Sequence, residues 1–392
     1  MAIKARRKRE WFTAFPGDYR WSFITSINLM RVQGGSADTS EIFEICRRLE
    51  SKVGDDKAWV REWSRMGDRL RAMAQAAQRK GNLYSAADCY NRACNYFQTA
   101  DRFWFPKNQK SKALYRKSID CFHRYLRLTD SPHAEIVEIP FEGKKKLPAY
   151  FVHAQNTRKS RPPVVVQYTG FDGTKEGGYS LATLALVRRG MSVLLADTPG
   201  VGEAIRFRGI YLRHDYEVAG SAILDWLEKR KDVNARRVAI FASSLGGYYA
   251  PRTAAMEPRF KAAVAWGAQW DYHAIWKRRI EAAYKIQLPS PGSHLAWSFN
   301  TKTAEEALVK LEGFRLDGVV QKMKCPFLLV HGDDDQQIPL RNAKKLFNAA
   351  GSKDKTLRVY TGPDGGAQHC QMDYLQPVVA YMADWTAEKL SA

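Results

Sequence analysis

The 392-residue chain contains no apolar run near the roughly 20 residues that a membrane-spanning helix requires. Its opening, MAIKARRKREWFTAFPGDYRW, also lacks the apolar stretch of about 7–15 residues found in a secretory signal. Pro16, Asp18 and Arg20 interrupt it. No membrane span and a cytoplasmic location are therefore expected. Cysteine is sparse: Cys46, Cys89, Cys94, Cys121, Cys325 and Cys370 are scattered without CxxC or metal-ligand spacing. That argues against a disulfide framework and for free thiols in a reducing compartment. There is no GxxxxGK[ST], so Asp197-Thr198-Pro199-Gly200-Val201-Gly202-Glu203 reads as a shaped loop and not as a phosphate cradle. The Ala/Tyr pattern from Ala86 to Ala100 looks like one tetratricopeptide unit, but no second copy follows at a fixed period.

What is abundant is positive charge. The formal net charge is +21, with 26 basic against 14 acidic residues (+12) over residues 1–130 and +9 over the rest. Arg6 to Arg9 form a short cluster, and Lys144 to Lys146 fall at a hairpin turn. Such a field attracts anionic substrates, acidic lipids or nucleic acid without specificity. No nucleic-acid-binding motif accompanies it, so a solvated basic surface is the reading and no specific nucleic-acid partner is expected. The hydrophobic (45%) and charged (26%) fractions are those of a globular protein. The length suits one large domain with a smaller one.

Residues from about 20 to 130 read as helices. Trp59, Trp63, Met66, Leu70, Met73 and Ala77 recur at helical spacing, as do Leu83, Ala87, Tyr90, Ala93 and Phe97 beyond the Gly81-Asn82 break. A third helix is predicted from about Ser111 to Leu128. After Thr129-Asp130-Ser131-Pro132 the texture changes. AEIVEIPF and LPAYFVH alternate around Glu142-Gly143-Lys144, a hairpin signal. Strand-like runs then alternate with helices: PVVVQYT, MSVLLAD, RRVAIFA, FKAAVAWG, PFLLVHG and TLRVYTG, with helices predicted over Leu181–Val187 and about Tyr211–Lys229. Runs apolar on both faces imply an α/β fold with a mostly parallel sheet covered on each side. The division is a helical domain over 1–130 and a catalytic domain over 131–392, with an aromatic-rich insertion at about 270–324 in the latter.

Reactive groups in such sheets gather at the carboxyl ends of the strands. RRVAIFA runs into Ser243-Ser244-Leu245-Gly246-Gly247 and then a helix, the pattern of a nucleophile elbow. The turn admits only small residues two positions either side of the nucleophile, and Ser244 has Ala242 and Gly246 there. Choosing Ser243 would put Phe241 and Leu245 in those places. The following helix aims its positive end at the serine, and the backbone N–H groups of Leu245 and Phe171 are the expected oxyanion donors. Phe171 follows Gly170, which lets the loop approach closely. A serine needs a base and the base an orienting acid. Asp335 is the acid, since His-Gly-x-x-Asp-x-x-Ile-Pro resembles the acid loop of many α/β hydrolases. Asp333 and Asp334 read as solvated loop charges and His331 as a bracing residue. His369, which follows the acid in a loop before the last helix, is the base. Trp270, Asp271 and His273, at the opening of the insertion, are candidate substrate contacts.

GFDGTKE, DTPGVGE, SSLGGYYAPR, HGDDD and QHC together resemble one branch of the α/β hydrolases. This branch includes dihydroxypseudooxynicotine hydrolase, the fungal hydrolases that shorten a heptaketide pigment precursor, and the fermentation-respiration-switch proteins. The resemblance spans most of the chain from Trp59 onward. It implies an α/β-hydrolase fold with the N-terminal helical domain as a lid, and cleavage of a carbon–carbon bond beside a ketone in a small molecule through an acyl-enzyme. It implies no metal and no organic cofactor, and the family's auxiliary acid has no unambiguous counterpart in this chain. A carboxylesterase differs only in the leaving group, and a non-catalytic binding protein on the same scaffold is the third reading. A homodimer is compatible with each.

Overall fold

In the computed structural model, residues 11–282 and 291–391 are described. The Arg6–Arg9 cluster and residues 283–290 of the insertion lie outside them. Five helices come first: α1 (Tyr19–Met30), α2 (Thr39–Leu49), α3 (Asp56–Arg79), α4 (Leu83–Arg102) and α5 (Gln109–Leu128). Asp18, Asp38, Asp55 and Asn108 each accept backbone N–H groups at the start of a helix, which satisfies donors that have no partner within it. The break between α3 and α4 falls at Gly81, whose φ of +78° suits glycine. Trp59, Trp63, Met66, Leu70 and Ala74 form the buried stripe of α3. Met73, expected on that stripe, is 48% exposed.

A single eight-stranded sheet follows, in the order β1-β2-β4-β3-β5-β6-β7-β8. The strands are β1 (Ala134–Phe141), β2 (Lys145–Val152), β3 (Val164–Tyr168), β4 (Ser192–Ala196), β5 (Val238–Ser243), β6 (Ala262–Trp266), β7 (Phe327–Gly332) and β8 (Lys355–Tyr360). β1 and β2 make the antiparallel hairpin, β2 joins β4 antiparallel, and all other pairs are parallel. The period-2 alternation of strand side chains divides the apolar interior into two layers. Val165, Ala239, Phe241, Val264 and Val330 face the layer shared with α1–α5 and the last helix, Leu375–Ser391. Val164, Val166, Ile240, Ala265 and Leu329 face the layer made with the helices Glu217–Leu227, Gly246–Met256 and Tyr272–Glu281.

Two helices depart from the sequence reading. The one expected from Tyr211 begins at Glu217. The residues before it serve as a crossing loop in which the Leu212 N–H donates to the Ser298 carbonyl at 2.9 Å. The helical segment after β3 is broken into Lys175–Gly178, a π-helical turn at Tyr179–Thr183, and Leu184–Val187. No helix among the described residues is long and apolar enough to cross a membrane.

Candidate active site

β5 ends in a turn that puts Ser244 at φ +60°, a conformation that is unfavourable for a residue with a side chain. Two features hold it there. The Ser244 N–H donates to the Trp266 carbonyl at 2.8 Å, and the Gly247 N–H donates back to the Ser244 carbonyl at 2.8 Å. The turn is crowded as expected: a Cβ added to Gly246 would lie 2.5 Å from the Ala242 Cβ.

Ser244 Oγ is 2.8 Å from His369 Nε2, and His369 Nδ1 is 2.7 Å from Asp335 Oδ2. The structure thus brings together all three residues expected from the sequence, from three strand ends. Asp335 Oδ1 accepts the N–H groups of Gln337 at 2.8 Å and Ile338 at 2.9 Å. Burial acts to raise the Asp335 carboxyl, but the charge and hydrogen bond of His369 outweigh it and hold the group below its ordinary value. Burial acts to lower the His369 imidazole, and the Asp335 charge overcomes this and raises it well above its ordinary value. His331 Nε2 is 3.0 Å from the Ile338 carbonyl and braces the acid loop. Asp334 Oδ2 accepts from Gln368 Nε2 at 3.1 Å, and Asp333 is exposed. The His369 loop is fixed from behind, since Asp373 accepts the N–H groups of Gly366, Ala367 and Gln368. Trp266 Nε1 donates to Gln371 Oε1 at 2.8 Å, tying that loop to β6.

The loop after β3 closes over the serine. A Cβ on Gly170 would lie 2.7 Å from the Ser244 Cβ and 3.1 Å from its Oγ. Among the described residues the N–H groups of Phe171 and Leu245 have no hydrogen-bond partner. The Phe171 ring packs against Tyr272, Trp276 and His294, which sets the loop's path.

A cavity of about 990 Å³, partly continuous with solvent, opens in front of Ser244 and His369. Its walls include Phe23 and Ile27 of α1, then Arg31 at the end of that helix. The spacing of four puts these three on one helix face. Phe23 lies 6.0 Å from the His369 ring, centroid to centroid. The opening of the insertion contributes Gln269, Tyr272 and Arg279. Trp270, Asp271 and His273 do not border this cavity. Asp271 instead caps the helix Tyr272–Glu281 through the Ala274 N–H at 2.8 Å and lies 3.7 Å from Arg315. Sequence reasoning missed Arg31 and Arg279. The spacing Phe23, Ile27, Arg31 was the available signal for the first, while nothing local marks the second.

Among the described residues, one group outside this site presents metal-ligand atoms near one another: Glu135, His153 and Asp232, within 4.8 Å. Arg230 already donates to both carboxylates, at 2.8 Å and 2.6 Å, so its guanidinium offsets part of the negative charge there.

Residues 179–392 match the prolyl oligopeptidase family. A hydrolyase of Penicillium oxalicum is 30% identical over 88% of this chain and 91% of its own length. The 20-hydroxy-prefusarin hydrolase of Gibberella moniliformis is 28% identical over 94% and 95%. The 2,6-dihydropseudooxynicotine hydrolase of Paenarthrobacter nicotinovorans is 27% identical over 85% of each chain. Among solved structures, a 2,6-dihydroxy-pseudo-oxynicotine hydrolase superposes with a TM-score of 0.77 at 24% identity, over 93% of this chain and 96% of that one. With a mostly parallel sheet, flanking helices and this match, the chain belongs to the prolyl oligopeptidase family of α/β hydrolases.

Proposed function

We propose that the protein is a serine hydrolase that cleaves a carbon–carbon bond beside a ketone in a small molecule, with Ser244 as nucleophile. The observation that carries this is the unbroken relay from Ser244 Oγ through His369 to Asp335. His369 Nε2 takes the serine proton as Oγ attacks the carbonyl, and Asp335 stabilises the imidazolium that results. The oxyanion that forms accepts from the backbone N–H groups of Leu245 and Phe171. His369 then returns the proton to the departing enolate carbon, and water hydrolyses the acyl-enzyme by the same route in reverse. Residues 1–130 act as a lid, since α1 supplies one wall of the cavity, and 131–392 carry the chemistry with 270–324 as a cap. The resemblance drawn from GFDGTKE, SSLGGYYAPR and QHC supports the carbon–carbon bond over a carboxylic ester.

The test sets 1,3-diketones beside aryl esters, with wild type and Ser244→Ala. Turnover of the diketones that disappears in Ser244→Ala, with a fluorophosphonate adduct on Ser244 of the wild type, is the expected result. Turnover of esters alone would select the carboxylesterase reading. Absence of both turnover and adduct would leave a binding protein on a hydrolase scaffold.

A further inference from the structure

The cavity in front of Ser244 is lined by more cations than carboxylates. Among the described residues, three guanidinium groups border it (Arg31, Arg102 and Arg279) against one carboxylate, Asp172. That carboxylate is already paired with Arg102. A second cavity, about 530 Å³ with the solvent open to it included, adjoins the first, and Arg31, Arg102 and Asp172 border both. It adds Lys107 and Arg206, which share the single carboxylate of Asp101 at 3.0 Å and 2.6 Å. Among the described residues, five cations therefore surround the joined space, with two carboxylates among them.

Arg31 is the group whose charge is least answered. One Nη donates to the Asn95 amide oxygen and the other to the Gly177 carbonyl at 3.3 Å. These neutral acceptors satisfy two donors but supply no counter-charge, and Nε is buried without a partner. Among the described residues no carboxylate lies within 4.0 Å of Arg31 or Arg279. Burial, followed by the neighbouring charge of Arg102, pulls the Arg31 guanidinium down to about 10. A cation taken out of water is unfavourable unless something opposite in charge meets it. The Arg31 guanidinium lies against the backbone at Gly177, where an added Cβ would be 2.6 Å from Nη2. A planar guanidinium presents paired N–H groups that match a carboxylate.

From this we infer that the cavity is built for substrates carrying a carboxylate remote from the reacting carbonyl, bound by Arg31 with Arg102 beside it. The inference deepens the hydrolase reading and rests on it for the position of the reacting carbonyl. Arg31 comes from α1, while the nucleophile comes from the turn after β5. Anion recognition and bond cleavage thus belong to different parts of the chain that meet at one cavity.

The test compares p-nitrophenyl hydrogen glutarate with its methyl ester, which differ only in the terminal charge. The wild type is expected to favour the carboxylate by tenfold or more in kcat/KM, chiefly through KM. In Arg31→Gln that ratio falls to about threefold or less, and Arg31→Lys restores part of it. Because the readout is a ratio within one protein, a loss of folded protein cancels. A second arm avoids turnover altogether. In Ser244→Ala, calorimetry with 4-phenylbutyrate and 4-phenylbutyramide should show the acid binding tenfold tighter or more, with Arg102→Gln weakening the acid selectively. A ratio near one in the wild type, or a ratio unmoved in Arg31→Gln, overturns the proposal while leaving the hydrolase reading intact. Inorganic phosphate that displaces 4-phenylbutyrate at equal concentration also overturns it, by moving the ligand from carboxylate to phosphate. If neither the esters nor the diketones turn over and no fluorophosphonate adduct forms on Ser244, but the acid still binds selectively, the hydrolase reading fails and the anion site stands.

Discussion

Gly170 and Ser244 approach so closely that any side chain at position 170 would press on Ser244: the nearest atom to an added Cβ is the Ser244 Cβ, at 2.7 Å. Gly170→Ala should therefore displace either the serine or the Phe171 amide that follows the glycine. Loss of one oxyanion donor lowers turnover by about a hundred- to thousand-fold, and a loss of that order is expected in kcat. The check is steady-state kinetics with the best substrate, beside a far-ultraviolet dichroism spectrum that stays native.

The Asp335–His369 pair should set the acid limb of the pH profile. His369 must be neutral to accept the serine proton, and Asp335 raises its pKa well above the ordinary histidine value. Activity is therefore absent while His369 is protonated and appears as pH rises through that raised pKa. The midpoint of kcat/KM should lie above about 6.5, the ordinary histidine value. Asp335→Asn removes the charge that raises it, so the midpoint should move to lower pH while kcat drops by up to about ten-thousand-fold, as the same change does in a serine protease. A midpoint that stays in place would show that another group governs the limb.

The elbow offers a paired test. Gly246→Ala puts a methyl group 2.5 Å from the Ala242 Cβ, so it should destabilise the protein by about 1–3 kcal/mol through overpacking. Ala242→Gly removes the obstructing methyl. In the double variant most of the lost stability should return, which thermal or urea unfolding will measure. Simple additivity of the two losses would show that the clash lies elsewhere.

Lys175 is 1% exposed and lies 2.8 Å from Glu176, 3.0 Å from Asp197 and 3.1 Å from Glu203. Glu176 also accepts from Tyr150 at 2.7 Å, and from Tyr115 of α5 and Gln98 of α4. The network thus joins the helical region to the sheet. Lys175→Met would leave buried carboxylates without their cation, and about 3–5 kcal/mol of stability should be lost. The burden falls on ionised carboxylates, so the gap from wild type should narrow as pH falls and they take up protons. Unfolding curves across pH 5–8 read both effects.

The features legible in the sequence were those written in short, ordered motifs. Ser244, Asp335 and His369 each sit at a strand end, and the strand order along the chain is enough to bring such ends to one edge. The hairpin was legible because Glu142-Gly143 supplies the positive φ values its turn needs. The cavity wall was harder to read. Arg279 borders it because a helix of the insertion turns inward, a tertiary fact with no local mark. Asp271 looked like a substrate contact because it is acidic and near Trp270, but a residue one position before a helix competes for the role of cap. The helix start at Glu217 was misjudged for a similar reason: Leu212 bonds to Ser298, more than eighty residues away, and no periodicity reports that.

The wall that α1 contributes separates the shape of the chamber from the geometry of the relay. Phe23, Ile27 and Arg31 touch the cavity yet lie some 200 residues before Ser244 in the chain and outside the strand-end loops that hold the relay. Exchanging those three side chains re-contours the substrate chamber while the elbow, the acid loop and the His369 loop keep their internal hydrogen bonds. Substitution within one short helix should therefore change which molecules the chamber accepts and leave the geometry of the relay in place.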